Sequence, residues 1–181
     1  MAPIKTSAIR LIGDTVTKQF KLRLDSIHGT DHWNRVKEIG FYLAGHTEAD
    51  LGVVGLFSFL HDSRRENEFE DPEHGFRATE YVLELRKKGL FEINDKQLDQ
   101  LLFACKHHNN KQSKSDDLTI QTCWDADRLD LYRLGEIPDE KYLYTEAAKK
   151  RKTRDFVLKL LGRYTQGDTV QSYQAMLVYK Y

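Results

Sequence analysis

Proline is scarce in this 181-residue chain, with three residues in all. Few helix breakers leave long periodic stretches intact, so the expected fold class is all-α. Cysteine is nearly absent too. Cys105 and Cys123 both sit in apolar helical patterns, which points to buried free thiols and offers neither a disulfide framework nor a zinc-ribbon pair. Net charge is missing: 28 Lys and Arg balance 28 Asp and Glu, which excludes the broad basic face that nucleic-acid binding needs. No apolar run reaches membrane-spanning length, and the N-terminus has no leader pattern. We therefore read a cytoplasmic protein with no membrane partner. Its 40% hydrophobic content is enough for one core in one domain, spanning 1–181 with its centre at about 25–135.

The most apolar stretch is Leu51-Gly-Val-Val-Gly-Leu-Phe-Ser-Phe-Leu60, followed at once by His61-Asp62. A helix apolar on every side belongs in the middle of a domain. A histidine and an acid at its end then lie where unpaired charge is costly. Around this helix, expected from about Ala49 to His61, the pattern gives a first helix over Thr15–Leu24, started by Gly13-Asp14. A second runs over Ile27–Leu43 and is ended by Gly45. Others follow over Glu73–Lys87, Asp95–His108 and Leu118–Leu134, with a short helix opened by Thr145 and a last one over Thr153–Leu161.

Phase places several polar residues on buried stripes. His32 shares a face with Val36, Ile39 and Leu43; His74 with Ala78, Tyr81 and Leu85; His108 continues Leu98, Leu101 and Cys105 better than His107 does. In Cys123-Trp-Asp-Ala-Asp-Arg-Leu-Asp130, Asp127 points inward, while Asp125 faces the more polar side of the helix. His28 reads as a cap or surface residue. Arg64 and Arg65 are either a phosphate clamp or a solvated loop paired with Glu66, Glu68 or Glu70. Lys106, Lys111 and Lys114 read as a solvated set, Asn109–Asp117 as a mobile polar loop, and Lys149–Arg154 as an exposed helix start.

Imidazoles and carboxylates aimed at one interior suit a divalent ion: Mn, Fe, Ni, Co, Zn or Mg. His32 in His-Trp-Asn-Arg-Val, the pair His61-Asp62, and Asp127 in Ala-Asp-Arg-Leu together resemble the H…HD…D signature of the HD-domain superfamily of metal-dependent phosphohydrolases. The flanking Ser26-Ile-His-Gly-Thr-Asp-His-Trp and Cys123-Trp-Asp-Ala-Asp-Arg-Leu-Asp-Leu are similar to a bacterial group within it. The resemblance covers about residues 25–135. It implies a compact helical bundle with a central metal held by His32, His61, Asp62 and Asp127, hydrolysing a small phosphate ester, with a nucleotide as the expected substrate. His74 and His107-His108 are similar to the extra ligands of two-metal phosphodiesterases and di-iron oxygenases of the superfamily. His74 follows Asp62 by only twelve residues, however, and the glycine-tyrosine-proline signature of the cyclic-di-nucleotide enzymes is absent. His74 and His108 are thus either ligands of a second ion or residues that brace the first or touch substrate. In the stringent-response hydrolases of this fold an acidic pair after His-Asp positions water; Arg65 and Glu66 stand there, so only Glu66 carries over. The expected catalytic helpers are Glu66 or His108 for a proton and Arg65 or Arg64 for phosphate. The rival reading is a non-catalytic metal- or nucleotide-binding regulatory domain signalling through its C-terminal tail.

Overall fold

The structure is a computed structural model that describes residues 4–164. Every regular element among the described residues is helical. The order is α1 (Thr6–Gln19), α2 (Thr30–Thr47), α3 (Leu51–Leu60), α4 (His74–Lys87), α5 (Asp95–His107), α6 (Leu118–Leu129), a 3-10 turn (Asp130–Leu134), a second such turn (Glu140–Tyr142), α7 (Glu146–Lys149) and α8 (Arg151–Tyr164).

The apolar stretch takes the centre. Asp50 opens α3 by accepting from the backbone N–H groups of Gly52 (2.9 Å) and Val53 (3.0 Å), a cap that contributes ~1 kcal/mol. Every residue from Gly52 to Leu60 is buried. Such a helix has no face to give to water and must be surrounded. Helices α1, α2, α5 and α6 all pack on it. Gly40 of α2 lets that helix approach closely, since a Cβ there would lie 2.5 Å from Val54 Cγ1. Helices α4 and α5 pack as a pair, linked through Gly89 in the left-handed region (φ 71°) and an Asn94–Gln97 capping box. Helix α8 lies across α2, where Phe156 stacks on Tyr42 with ring centroids 4.2 Å apart. Cys105 and Cys123 are free and buried, as expected, and burial pushes both thiols up, away from thiolate chemistry.

Several expectations need correcting. The first helix is not Thr15–Leu24: it starts at Thr6, and its buried face is Ile9, Ile12, Gly13 and Val16. That stripe was hidden because its third member is a glycine, which serves for close packing on the Phe59 ring and does not start the helix. Leu24 is exposed. Gly45 does not end α2; the helix runs on to Thr47 and closes on Glu48 in the left-handed region (φ 59°). The helix expected over Leu118–Leu134 is α-helical only to Leu129 and tightens into the 3-10 turn from Asp130. The loop 109–117 is tied down: Asn109 donates to Pro72 O, Gln121 to Ser115 O, Gln100 to Asp117, and the Tyr144 hydroxyl to Ser113 O. The basic run crosses the α7–α8 junction, with Lys150, Arg151 and Lys152 exposed. The tail after Tyr164 lies outside the described residues.

Filling the α2–α3 contact should be costly. Gly40→Val is expected to lower stability by roughly 2 kcal/mol or more in urea unfolding, because two β-branched side chains would then compete for one space. An unchanged midpoint would refute the tight approach.

Candidate metal centre

The C-terminal end of α3 delivers His61 and Asp62 as one rigid unit. His61 still has helical backbone, its N–H donating to Phe57 O. Its ring stacks on that of Phe57, and its Nδ1 lies 3.0 Å from Phe57 O. A carbonyl can only accept, so Nδ1 carries the proton and Nε2 of the neutral ring is a bare lone pair. Helix α2 brings His32 to meet it. His32 Nδ1 sits 2.7 Å from Asp130 Oδ2, and its Nε2 is 3.1 Å from His61 Nε2.

Two carboxylates complete this group. Asp62 Oδ2 lies 3.5 Å from His32 Nε2 and 3.6 Å from His61 Nε2. Asp127 Oδ1 lies 3.4 and 3.6 Å from the same two atoms. Ligands about 2.1 Å from one ion stand roughly 3.0–3.4 Å apart at octahedral to tetrahedral angles. The separations of 3.1–3.6 Å lie at the wide end of that spacing. Asp127 keeps 21% of its side chain exposed, whereas Asp62, His32 and His61 are buried. The group therefore opens to solvent on the Asp127 side.

A second group backs onto the other oxygen of Asp62. Asp62 Oδ1 lies 3.2 Å from His74 Nε2 and 3.4 Å from His108 Nε2. Those two nitrogens are 2.8 Å apart. The Nδ1 atom of His74 meets Asp71 O, and that of His108 meets Cys105 O at 2.7 Å. Here too the rings turn their protons to backbone carbonyls and their lone pairs to each other. His108 is buried and His107 is not, as phase predicted. Cation-capable clusters thus include His32 with His61 and Asp127, and His61 with Asp62 and His108.

The charges respond to this crowding. Burial pushes His61 down to about 4. Burial would raise the Asp62 carboxyl, but His61, His108, His32 and His74 hold it well below the usual carboxylate range. Asp127 is also lowered against its burial, by His61 and His32. Burial and Arg133 act to lower His32, but its hydrogen bonds to Asp130 and Asp62 leave it raised. His108 is likewise raised against burial by Asp62.

The arginines and Glu66 lie differently from expectation. Arg65 is buried beneath the cluster. Its Nη1 is 3.5 Å from Asp62 Oδ1 and nearly equidistant from the two His74 nitrogens (3.5 and 3.3 Å), while its other donors reach Asn67 O and Phe69 O at 3.3 Å. It neutralises Asp62 and pins the 66–70 loop. Arg64 turns away, over the Tyr81 ring at 3.6 Å. The Glu66 carboxylate is half exposed and sits 2.6 Å from Lys21 Nζ, which holds it below the usual carboxylate range. No hydrogen bond or ion pair joins that carboxylate to the cluster among the described residues. Lys106, Lys111 and Lys114 are exposed. His28 is no surface cap: it is largely buried, 2.8 Å from Glu68 Oε2, with its ring edge-on to His32.

Asp125 reverses its expected place. It is fully buried and accepts from Tyr144 N, Thr145 N and the Thr145 hydroxyl at 2.7–2.8 Å. The face that looked polar from the helix alone is covered by the chain at 143–145. Asp130 was missed entirely as a site residue. With no exposed surface, it holds His32 and also takes Arg35 Nε at 2.7 Å and Arg133 Nη1 at 3.3 Å. Its signal was spacing: Asp127–Asp130 and His32–Arg35 are both i, i+3 pairs on one helix face. Removing Asp130 takes the carboxylate from the buried Arg35 guanidinium and the brace from His32. Asp130→Ala is expected to cost about 3–5 kcal/mol in urea unfolding; a loss under 1 kcal/mol would refute the network.

No protein-family model and no curated protein matches the chain significantly. Two solved structures do resemble it. One is a predicted HD superfamily hydrolase from an uncultured Thermotogales bacterium, 24% identical, covering 87% of this chain and 89% of its own, with a TM-score of 0.58. The other is a structural genomics target from Lactobacillus plantarum, 19% identical, covering 95% of this chain and 90% of its own, with a TM-score of 0.53. Likeness at this level speaks to architecture: the chain has an HD-domain-like, all-helical fold.

Proposed function

We propose that the protein is a metal-dependent phosphohydrolase acting on a small phosphate ester, with nucleotides as the first substrate class to test. One observation carries the reading. His32 Nε2 and His61 Nε2 face each other at 3.1 Å while both Nδ1 atoms are engaged elsewhere, with carboxylate oxygens of Asp62 and Asp127 at 3.4–3.6 Å. Lone pairs and anions converging on one point call for a cation between them. His32, His61, Asp62 and Asp127 would hold it. Asp130 and Phe57 O fix the two rings so that Nε2 is the ligand atom in each, the usual bracing of a metal-bound imidazole. A bound divalent ion supplies an acidified water and polarises a phosphoryl oxygen. The resemblance to a predicted HD superfamily hydrolase supports the same reaction class.

The chain's own residues then define the reacting face. Asp127 is the partly exposed ligand, so a phosphate ester reaches the centre from its side. Arg65 lies beneath Asp62, 3.5 Å from its Oδ1, and in this reading steadies the site and does not clamp phosphate. Glu66, held by Lys21, has no proton-transfer role in this reading. The second group supports a two-ion version: His74 Nε2 and His108 Nε2, 2.8 Å apart and 3.2–3.4 Å from Asp62 Oδ1, would hold a second ion together with Asp62.

Protein loaded with Mn, Ni or Co and given a panel of nucleotides should release phosphate or pyrophosphate, and Asp127→Ala should abolish both release and tight metal retention. No release with any metal would overturn the catalytic reading. Metal content separates one ion from two: His74→Ala should lower a stoichiometry near two to near one, and leave a stoichiometry near one unchanged. Proton linkage gives a further check. His32 and His108 keep a proton to higher pH than ordinary imidazoles, and that proton must leave before Nε2 can bind metal. Affinity should therefore climb as pH rises through about 6.5 and beyond, with proton release seen as buffer-dependent binding heats. A flat affinity between pH 5.5 and 8 would contradict the imidazole ligands.

A further inference from the structure

The basic run at 149–154 plays no part in the metal centre, yet it does not simply spread into solvent. It closes one side of a cavity of about 280 Å3. Lys149, Lys150, Arg151 and Arg154 contribute to that side, and Glu140 is the one acid among the lining residues. Lys149 is answered at close range by Glu146 (2.9 Å), but Arg151 approaches Asp155 only to 3.9 Å. The rest of the lining is largely apolar and includes Leu129, Tyr132, Ile137, Pro138 and Leu143.

Counting Glu146 and Asp155 beside Glu140, four cations stand against three acids, and the remaining positive charge lies beside low-dielectric side chains that strengthen its field in the cavity. An anion relieves that repulsion, and arginine offers the fork that matches a phosphoryl group. A bare hydrated ion would leave the apolar wall unused. The space is near the lower limit of small-molecule clefts and suits one ring plus one phosphoryl group. We propose that this cavity binds a small aromatic organophosphate, with Lys150 and Arg151 on the anion and Ile137 and Pro138 against the ring. The site is distinct from the metal centre but adjoins its brace. Leu129 and Tyr132 flank Asp130, so one short turn lines the cavity with its neighbours and holds His32 with its carboxylate.

The test is calorimetric titration of phenylphosphonate, which cannot be hydrolysed as an ester, into the full-length metal-loaded protein. The charge-reversed variant Lys150→Glu/Arg151→Glu alters exposed side chains only, and Ile137→Trp fills the cavity. Each is expected to weaken one binding event at least tenfold while metal content and melting temperature stay at wild-type values. Inorganic phosphate and benzyl alcohol, each offering half of the ligand, should bind that site at least tenfold more weakly than phenylphosphonate. Isotherms unchanged in both variants would overturn the proposal, as would inorganic phosphate binding equally well. Because metal content is read on the same samples, loss of this site is distinguishable from failure of the metal reading.

Discussion

Three carboxylates and four imidazoles share the interior of this helical bundle, and the need to balance them shapes much else. Asp62 is the pivot. Its two oxygens face two different sets of histidines, His32 and His61 on one side and His74 and His108 on the other. A buried carboxylate that faces four imidazole nitrogens is stable only if all of them arrive together. They arrive from α2, α3, the start of α4 and the end of α5, and Asp127 and Asp130 come from α6 and the turn after it. The bundle can be seen as a device for delivering helix ends and helix faces to one point.

Helix α3 makes this feasible because it brings almost no polar demand of its own. From Gly52 to Leu60 its only side-chain polar atom is the Ser58 hydroxyl, which donates back to Gly55 O at 2.7 Å. The helix can therefore be sheathed on all sides, and its terminal residues inherit that burial. Every imidazole of the cluster except His32 gives its Nδ1 proton to a backbone carbonyl, so the rings are oriented mainly by main chain. His32 is the exception, and its orientation depends on the side chain of Asp130.

Much of this was legible in the sequence wherever a heptad-like stripe carried the information. His32, His74 and His108 fell on apolar faces, and each is buried. Asp127 was correctly turned towards the histidines, although the opening to solvent leaves it partly exposed. One failure depends on what covers a helix from outside. Asp125 looked solvent-facing until residues 143–145 folded over it, and no periodicity in α6 could announce that. Gly13 and Gly45 were read as boundaries because glycine is locally a breaker; one lies within a packed face and the other in the last turn of α2, two residues short of its end. Glu66 was placed by analogy along the chain, but Lys21, 45 residues earlier, claims its carboxylate.

The stretch from Asp125 to Asp130 faces two ways within two turns. Asp125 clasps the chain that leads into α7, Asp127 faces the histidines, Arg128 reaches Tyr142 O, and Asp130 braces His32. At 100° per residue, inserting or deleting a single residue there would swing the clasp and the histidine-facing acids out of register together. The segment can therefore tolerate change only in side chains, one at a time, and not in length. In this sense six residues act as a ruler, fixing the distance and angle between the bundle's centre and everything that follows it.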